Sequence, residues 1–125
     1  WLSDQAFAKK YGFQVVDETA GGYELLALSF DGTVPQFAPN AKKEEIPEKT
    51  LMVYYDRQCP YIVQTLEKLK SHCETADIPA DFIEVDTLEK AKNLPCVFNN
   101  WAVFHNGKFV TVNLLDPASL GRLLK

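Results

Sequence analysis

The chain has little of what marks a nucleic-acid or membrane protein. Lys and Arg number 13 against 17 Asp and Glu, a net charge of −4, so no basic surface for nucleic acid or anionic lipid is expected. No apolar run approaches the roughly 20 residues that span a bilayer, and no positively charged leader precedes a hydrophobic segment. Cysteine is scarce too: Cys59, Cys73 and Cys96 form an odd set with no close pair, a poor disulfide framework for a secreted domain. A reducing compartment fits better, and the expectation is a soluble, cytoplasmic protein. His72 and His105 have no partners at metal-ligand spacing, so no metal site is expected. The single methionine is internal, and the chain opens on Trp1 inside what reads as a helix, which suggests a C-terminal fragment of a longer protein.

What is present is enough for one ordinary globular domain, or a small domain carrying an extra piece: 125 residues with 46% hydrophobic content. The chain is organised around residues 51–61. Five apolar residues, 51–55, read as a short buried strand, and Asp56, Arg57 and Gln58 make a polar turn into Cys59 and Pro60. Proline suits the first position of a helix, so Cys59 falls at the N-cap, with its sulfur among unpaired amides at the positive end. That setting favours a thiolate, and Arg57 is placed to add to the effect.

Upstream, residues 1–11 place Leu2, Ala6, Phe7 and Tyr11 at near-helical spacing, with Lys9 and Lys10 near the end and Gly12 as the stop. Two apolar segments, 13–17 and 23–30, flank Gly21 and Gly22 and read as a hairpin. Residues 31–49 carry Pro35, Pro39 and Pro47 around a charged run, Lys42 to Glu45, and read as a semi-rigid linker or surface crossing. Downstream of Cys59, Ile62, Val63, Leu66, Leu69 and Cys73 form one stripe of a helix over 61–74. A strand over 82–86 should lie parallel to the first, because the helix between them is a crossover. A short polar helix (87–93) precedes Pro95. Apolar runs 101–104 and 108–114 flank Asn106-Gly107, a strong hairpin signal. Asp116 and Pro117 then open a last helix carrying Leu120, Leu123 and Leu124.

From residue 51 the order is β-α-β-α-β-β-α. That order, with Cys-Pro opening the first helix and a proline ahead of the third strand, resembles the thioredoxin-like fold in its compact glutaredoxin form. Cys59-Pro60-Tyr61-Ile62 is similar to the glutaredoxin Cys-Pro-Tyr-Cys motif with Ile62 in place of the second cysteine. Leu94-Pro95-Cys96-Val97-Phe98 is similar to the segment where that fold keeps a cis-proline against the active cysteine. The resemblance implies a groove beside Cys59 formed by Pro60, Tyr61, Pro95 and Cys96, open to a peptide or thiol ligand. Ala6-Phe7-Ala8-Lys9-Lys10-Tyr11-Gly12-Phe13 and the strands after it resemble the C-terminal helix and last two strands of GNAT-type N-acetyltransferases. Together the halves are similar to acetyltransferases with a C-terminal YoaP-like domain. In GNAT enzymes a glycine-rich turn holds the acetyl-CoA phosphates, and this chain has none; a tyrosine often used as general acid four residues before the helix-ending glycine is Ala8 here.

The α/β architecture expected is therefore a GNAT-like helix and hairpin over 1–30, a Pro-rich linker over 31–49, and a thioredoxin-like, YoaP-like domain over 50–125. The resemblance implies acetyl-CoA as cofactor of the parent protein, an amine acceptor, and a missing N-terminal GNAT domain as partner, with no cofactor held by the fragment itself. Three roles stay open for the C-terminal domain: monothiol exchange through Cys59, substrate binding without catalysis, or dimerisation. Cys96 reads either as a resolving thiol near Cys59 or as a small apolar residue entering a strand. Cys73 reads as core, since it lies several helical turns from Cys59. Tyr54, Phe82, Trp101 and Phe104 read as core or cleft aromatics rather than a base-stacking platform.

Overall fold

The computed structural model describes residues 5–124; Trp1 and Leu2 of the expected first helix lie outside them. The first described element is α1 (Ala6–Lys10). It ends in a Schellman turn, in which Phe13 N–H donates to Ala8 O at 3.2 Å and Gly12 N–H to Lys9 O at 3.1 Å. Gly12 takes φ +94° there, satisfying carbonyls that a helix end leaves unpaired. A two-stranded antiparallel ribbon follows, β1 (Gln14–Glu18) and β2 (Glu24–Ala27), bulged between Val15 and Asp17. β2 is shorter than the apolar run 23–30 predicts. Ala27 already pairs with Gln14, and Phe13 is committed to the helix-end turn, so Leu28 finds no partner.

The larger sheet is mixed and has the order β4-β3-β5-β6. Its strands are β3 (Leu51–Tyr55), β4 (Ala80–Glu84), β5 (Trp101–His105) and β6 (Lys108–Thr111). β4 is parallel to β3 across the crossover α2 (Pro60–Thr75), whereas β5 runs antiparallel to β3 and to β6. α3 (Leu88–Asn93) precedes β5 and α4 (Pro117–Leu123) ends the described chain. β4 begins two residues before the expected 82–86 and ends at Glu84, because Ala80 and Asp81 pair with Leu51 and Met52. Its alternating burial is that of an edge strand, which a search for a continuous apolar run misses. Among the described residues no helix is long and apolar enough to cross a membrane.

β3 and β5 are covered on both faces, and strand alternation divides their side chains into two cores. Leu51, Val53, Tyr55, Trp101 and Val103 face α2 and α4, meeting Ile62, Leu66, Leu69 and Leu120. Met52, Ala102 and Phe104 face the other way, onto Ile46, Val85, Leu94 and Cys96. Burying one large apolar side chain fully contributes about 1.5–3 kcal/mol, and Leu51, Leu69, Trp101, Phe104 and Leu120 are all at or below 1% exposure. The ribbon has no such core. Phe7 is 68% exposed and Phe30 93%, so stability resides in the four-stranded sheet.

The proline-containing segment 31–49 is a surface crossing docked on that sheet. A 3-10 turn, Pro39–Lys42, places Asn40 to donate its side-chain amide to the carbonyls of Lys92 and Leu94. Glu45 then bridges to Lys108 along β6, and Ile46 enters the core with its N–H donating to Gly107 O at 2.8 Å. Gly107 follows Asn106 in the β5–β6 turn, both at positive φ (+81° and +55°), the conformation that Asn-Gly supplies in two-residue hairpins. A β-carbon at Gly107 would lie 2.9 Å from Ile46 O. Gly107→Ala should therefore lower unfolding free energy by about 1–3 kcal/mol, read as a reduced urea midpoint at unchanged slope. An unmoved midpoint would show that the crossing does not press on this turn.

Candidate functional site

The strand-to-helix corner takes its shape from local bonds. Where β3 ends, Asp56 N–H donates to Asn100 O at 3.0 Å, and Asp56 Oδ1 accepts from Gln58 N–H at 2.9 Å, an Asx turn. Cys59 follows in extended conformation as the N-cap of α2, with Pro60 at the first helical position. Ile62 N–H donates to Cys59 O at 3.0 Å, and the Cys59 side chain makes no capping bond. Its sulfur is half-buried, packed on the α2-side core. Tyr61, 72% exposed, stands beyond it. Arg57 is engaged elsewhere: its Nε lies 3.0 Å from Glu84 Oε1, and its guanidinium stacks 5.8 Å from the Tyr55 ring centre. The Tyr55 hydroxyl first, and then Glu84, raise the Arg57 pKa above its ordinary value.

Of the residues expected beside Cys59, only Pro60 and Tyr61 are there. Pro95 and Cys96 lie on the other face of the sheet. Cys96 is buried among Ile46, Met52, Leu94 and Phe104, whereas Cys59 packs against the core under α2. The physical reason is the loop after α3: it folds onto the rear face, where Asn40 and Glu44 bind the carbonyls of Lys92, Leu94 and Pro95. The described residues contain no cis peptide bond, so the Leu94–Pro95 bond is trans. The residue that meets the Cys59 corner is Asn100. Its signal in the sequence is weak, two asparagines directly before an apolar run. Burial first, then the Glu44 carboxylate, push the Cys96 thiol up to about 12. Cys73 is buried on the α2 stripe and its thiol is raised by burial. It stands 14 residues along from Cys59, roughly 20 Å at helical rise. The corner thus offers one accessible thiol with no second thiol in reach.

A cleft of about 1190 Å³ opens between the ribbon and the rear face of the sheet. Its walls include Tyr11 and Phe13 from the α1 end, Phe37 from the crossing, and Phe98 and Val112 from the sheet side. Glu24 and Lys92 are the charged residues among its lining. These residues come from five separate segments, and only tertiary packing brings them together.

No glycine-rich turn leads from a strand into a helix among the described residues. The adjacent glycines, Gly21 and Gly22, lie in the β1–β2 turn. Among the described residues no group of three or more His, Cys, Asp or Glu side chains is placed to hold a metal ion.

Residues 79–125 match the YoaP-like family model. The chain is also 31% identical over 126 aligned residues to a Bacillus subtilis (strain 168) protein named "Uncharacterized N-acetyltransferase YoaP", the alignment covering 99% of this chain and 50% of that protein. The chain thus spans about half the length of the curated relative it matches. No solved structure matches it.

Two measurements check the thiol geometry. Iodoacetamide should modify Cys59 at least about tenfold faster than Cys73 or Cys96 in the folded chain, the three converging once urea unfolds it. Equal rates in the folded state would contradict the burial described. Cys96 holds its proton longer folded than unfolded, so its contribution to stability is unchanged below the ordinary thiol pKa of 9.0 and is lost as pH rises toward about 12. Unfolding free energies from urea titrations between pH 9 and 11 should fall more steeply for the unsubstituted chain than for Cys96→Ala, by on the order of 1 kcal/mol per pH unit. Parallel slopes would contradict it.

Proposed function

We propose that this chain is part of a GNAT-like N-acetyltransferase that moves the acetyl group of acetyl-CoA to an amine, and that the chain alone does not perform the transfer. The observation that carries this reading is the 31% identity along 99% of the chain to half of a protein named as an N-acetyltransferase. In this reading residues 1–30 are the last helix and hairpin of the acetyltransferase domain, 31–49 connect, and 50–125 form a thioredoxin-like, YoaP-like module. The exposed Phe7, Tyr11, Val15, Leu28 and Phe30 support a ribbon that continues into a larger partner domain, since apolar surface gathered on so small a unit needs covering. The order β4-β3-β5-β6, with one parallel pair joined by a helix and two antiparallel pairs, supports the thioredoxin-like assignment of the second unit.

Cys59 supports a second reading, monothiol exchange. Its thiolate would attack one sulfur of an external disulfide, forming a mixed disulfide while the other sulfur leaves as thiolate. A second external thiol must then release it, because Cys73 is distant along α2 and Cys96 is on the opposite face. If the module only binds, the sulfur is dispensable.

Calorimetry with acetyl-CoA tests the first reading. The full-length parent should bind it with micromolar affinity and acetylate an amine, while this chain alone gives no heat. Cys59→Ser in the parent should leave the transfer intact. Micromolar binding by the chain alone, or no binding by the parent, would contradict the proposal.

A further inference from the structure

Among the described residues one buried side-chain polar atom has no hydrogen-bond partner: the indole Nε1 of Trp101, a residue that is 0% exposed. Buried indole N–H groups ordinarily find an acceptor, because an unmet one has lost its water without replacing it. We propose that this N–H is the hydrogen-bond donor for the Cys59 sulfur in its anionic state. The inference deepens the exchange reading given above, and its part in turnover rests on that reading.

Topology brings the two side chains to one corner. Trp101 opens β5 directly opposite Tyr55, the last residue of β3, and opposed residues share a face, here the one covered by α2. Just beyond that pair, Asp56 N–H donates to Asn100 O, and the chain then turns to put Cys59 at the cap of α2. Cys59 packs against the core cluster that contains Trp101. The side chains of that cluster able to accept a hydrogen bond are Tyr55, Cys59 and Cys73. The Tyr55 hydroxyl already accepts from Arg57. Cys73 belongs to the last turns of α2, roughly 20 Å from its start at helical rise. Cys59 makes no capping bond, so it is the side-chain acceptor left at the Trp101 end of the sheet.

The chemistry selects the thiolate over the thiol. A neutral thiol is a weak acceptor, whereas a bond to an anion is roughly twice as strong as a neutral one. Cys59 has one rotatable side-chain bond, about which the sulfur swings over the core surface it already touches. The charged groups around the corner are committed elsewhere. Asp56 accepts from Gln58 N–H, Arg57 pairs with Glu84, and Lys70 lies over the Tyr55 and Phe82 rings. On α4, Asp116 and Arg122 both bond Ser119. The Trp101 N–H is thus the group free to answer charge on the sulfur. In exchange, the Cys59 thiolate attacks one sulfur of an external disulfide and the other leaves as thiolate. A second external thiolate then attacks the foreign sulfur of the mixed disulfide, and the electron pair of the broken S–S bond returns to Cys59. The donor raises the share of Cys59 present as thiolate before the first step and eases its departure in the second.

The indole proton reports this contact directly. In proton–nitrogen correlation spectra of the whole chain, the assigned Trp101 Nε1–H resonance should move downfield as pH is raised from about 6 to about 9.5 and the thiol ionises, and should stay in place in Cys59→Ser. Iodoacetamide at pH 7 should modify Cys59 at least about threefold more slowly in Trp101→Phe than in the unsubstituted chain, a gap that narrows by about pH 9.5. An indole resonance indifferent to pH, or one that titrates equally in Cys59→Ser, would overturn the proposal whether or not Trp101→Phe folds. Unchanged alkylation at pH 7 in a folded Trp101→Phe would do the same. If the indole titrates as expected but the full-length parent, supplied with an external thiol, reduces no bis(2-hydroxyethyl) disulfide, the exchange reading fails and the Trp101–Cys59 contact stands. If exchange runs and the indole ignores Cys59, the contact fails and the exchange reading stands.

Discussion

Glu44 holds the ribbon and the four-stranded sheet in one arrangement. Its backbone sits at φ +55°, a left-handed conformation that costs a residue other than glycine on the order of 1–3 kcal/mol. Three hydrogen bonds offset that strain. Its N–H donates to Pro95 O at 2.7 Å and its carbonyl accepts from Phe109 N–H at 2.9 Å. Its carboxylate accepts from Gly21 N–H at 3.0 Å, at the tip of the ribbon. At about 0.5–1.5 kcal/mol net for each neutral bond, the set is of the same size as the strain. One residue thereby joins the ribbon turn, the β6 edge and the loop carrying Cys96.

This arrangement separates two chemistries on opposite faces of one sheet. On the α2 side, strand β3 ends in an Asx turn that delivers Cys59 to the helix N-cap. On the rear side, a line of rings from Tyr54 through Phe104 and Phe109 to Tyr23 runs from the sheet to the ribbon and floors the region beside the cleft. Because side chains alternate along β3 and β5, a residue feeding one face is withheld from the other. Cys96 entered the rear core and so became unavailable to Cys59.

Local features were legible in the sequence to the extent that their chemistry is local. Cys59-Pro60 marked a helix start, Asn106-Gly107 marked a hairpin, and Asp116 marked a cap, whose carboxylate accepts from Ser119 N–H at 2.7 Å. Each signal rests on backbone preferences of two or three neighbouring residues. Pro95 misled because a proline before a strand says nothing about which face its loop will cover. That was decided by Asn40 and Glu44, more than 50 residues earlier. The start of β4 was missed for a related reason: Asp81 belongs in an edge strand only because its partner Met52 is there to pair with. The cleft could not be read at all, since its walls meet only after the crossing has docked.

The cleft keeps its walls only if the ribbon lies fixed against β6, where Tyr23 meets Phe109. Proton–proton NOE spectroscopy of the whole chain measures this directly, through the rings of Tyr23 and Phe109. Cross-peaks between their ring protons, weakened in Glu44→Ala, are the predicted result. An absence of those cross-peaks alongside intact β3–β5 cross-strand peaks would mean that the ribbon moves independently of the sheet and that the cleft has no fixed walls.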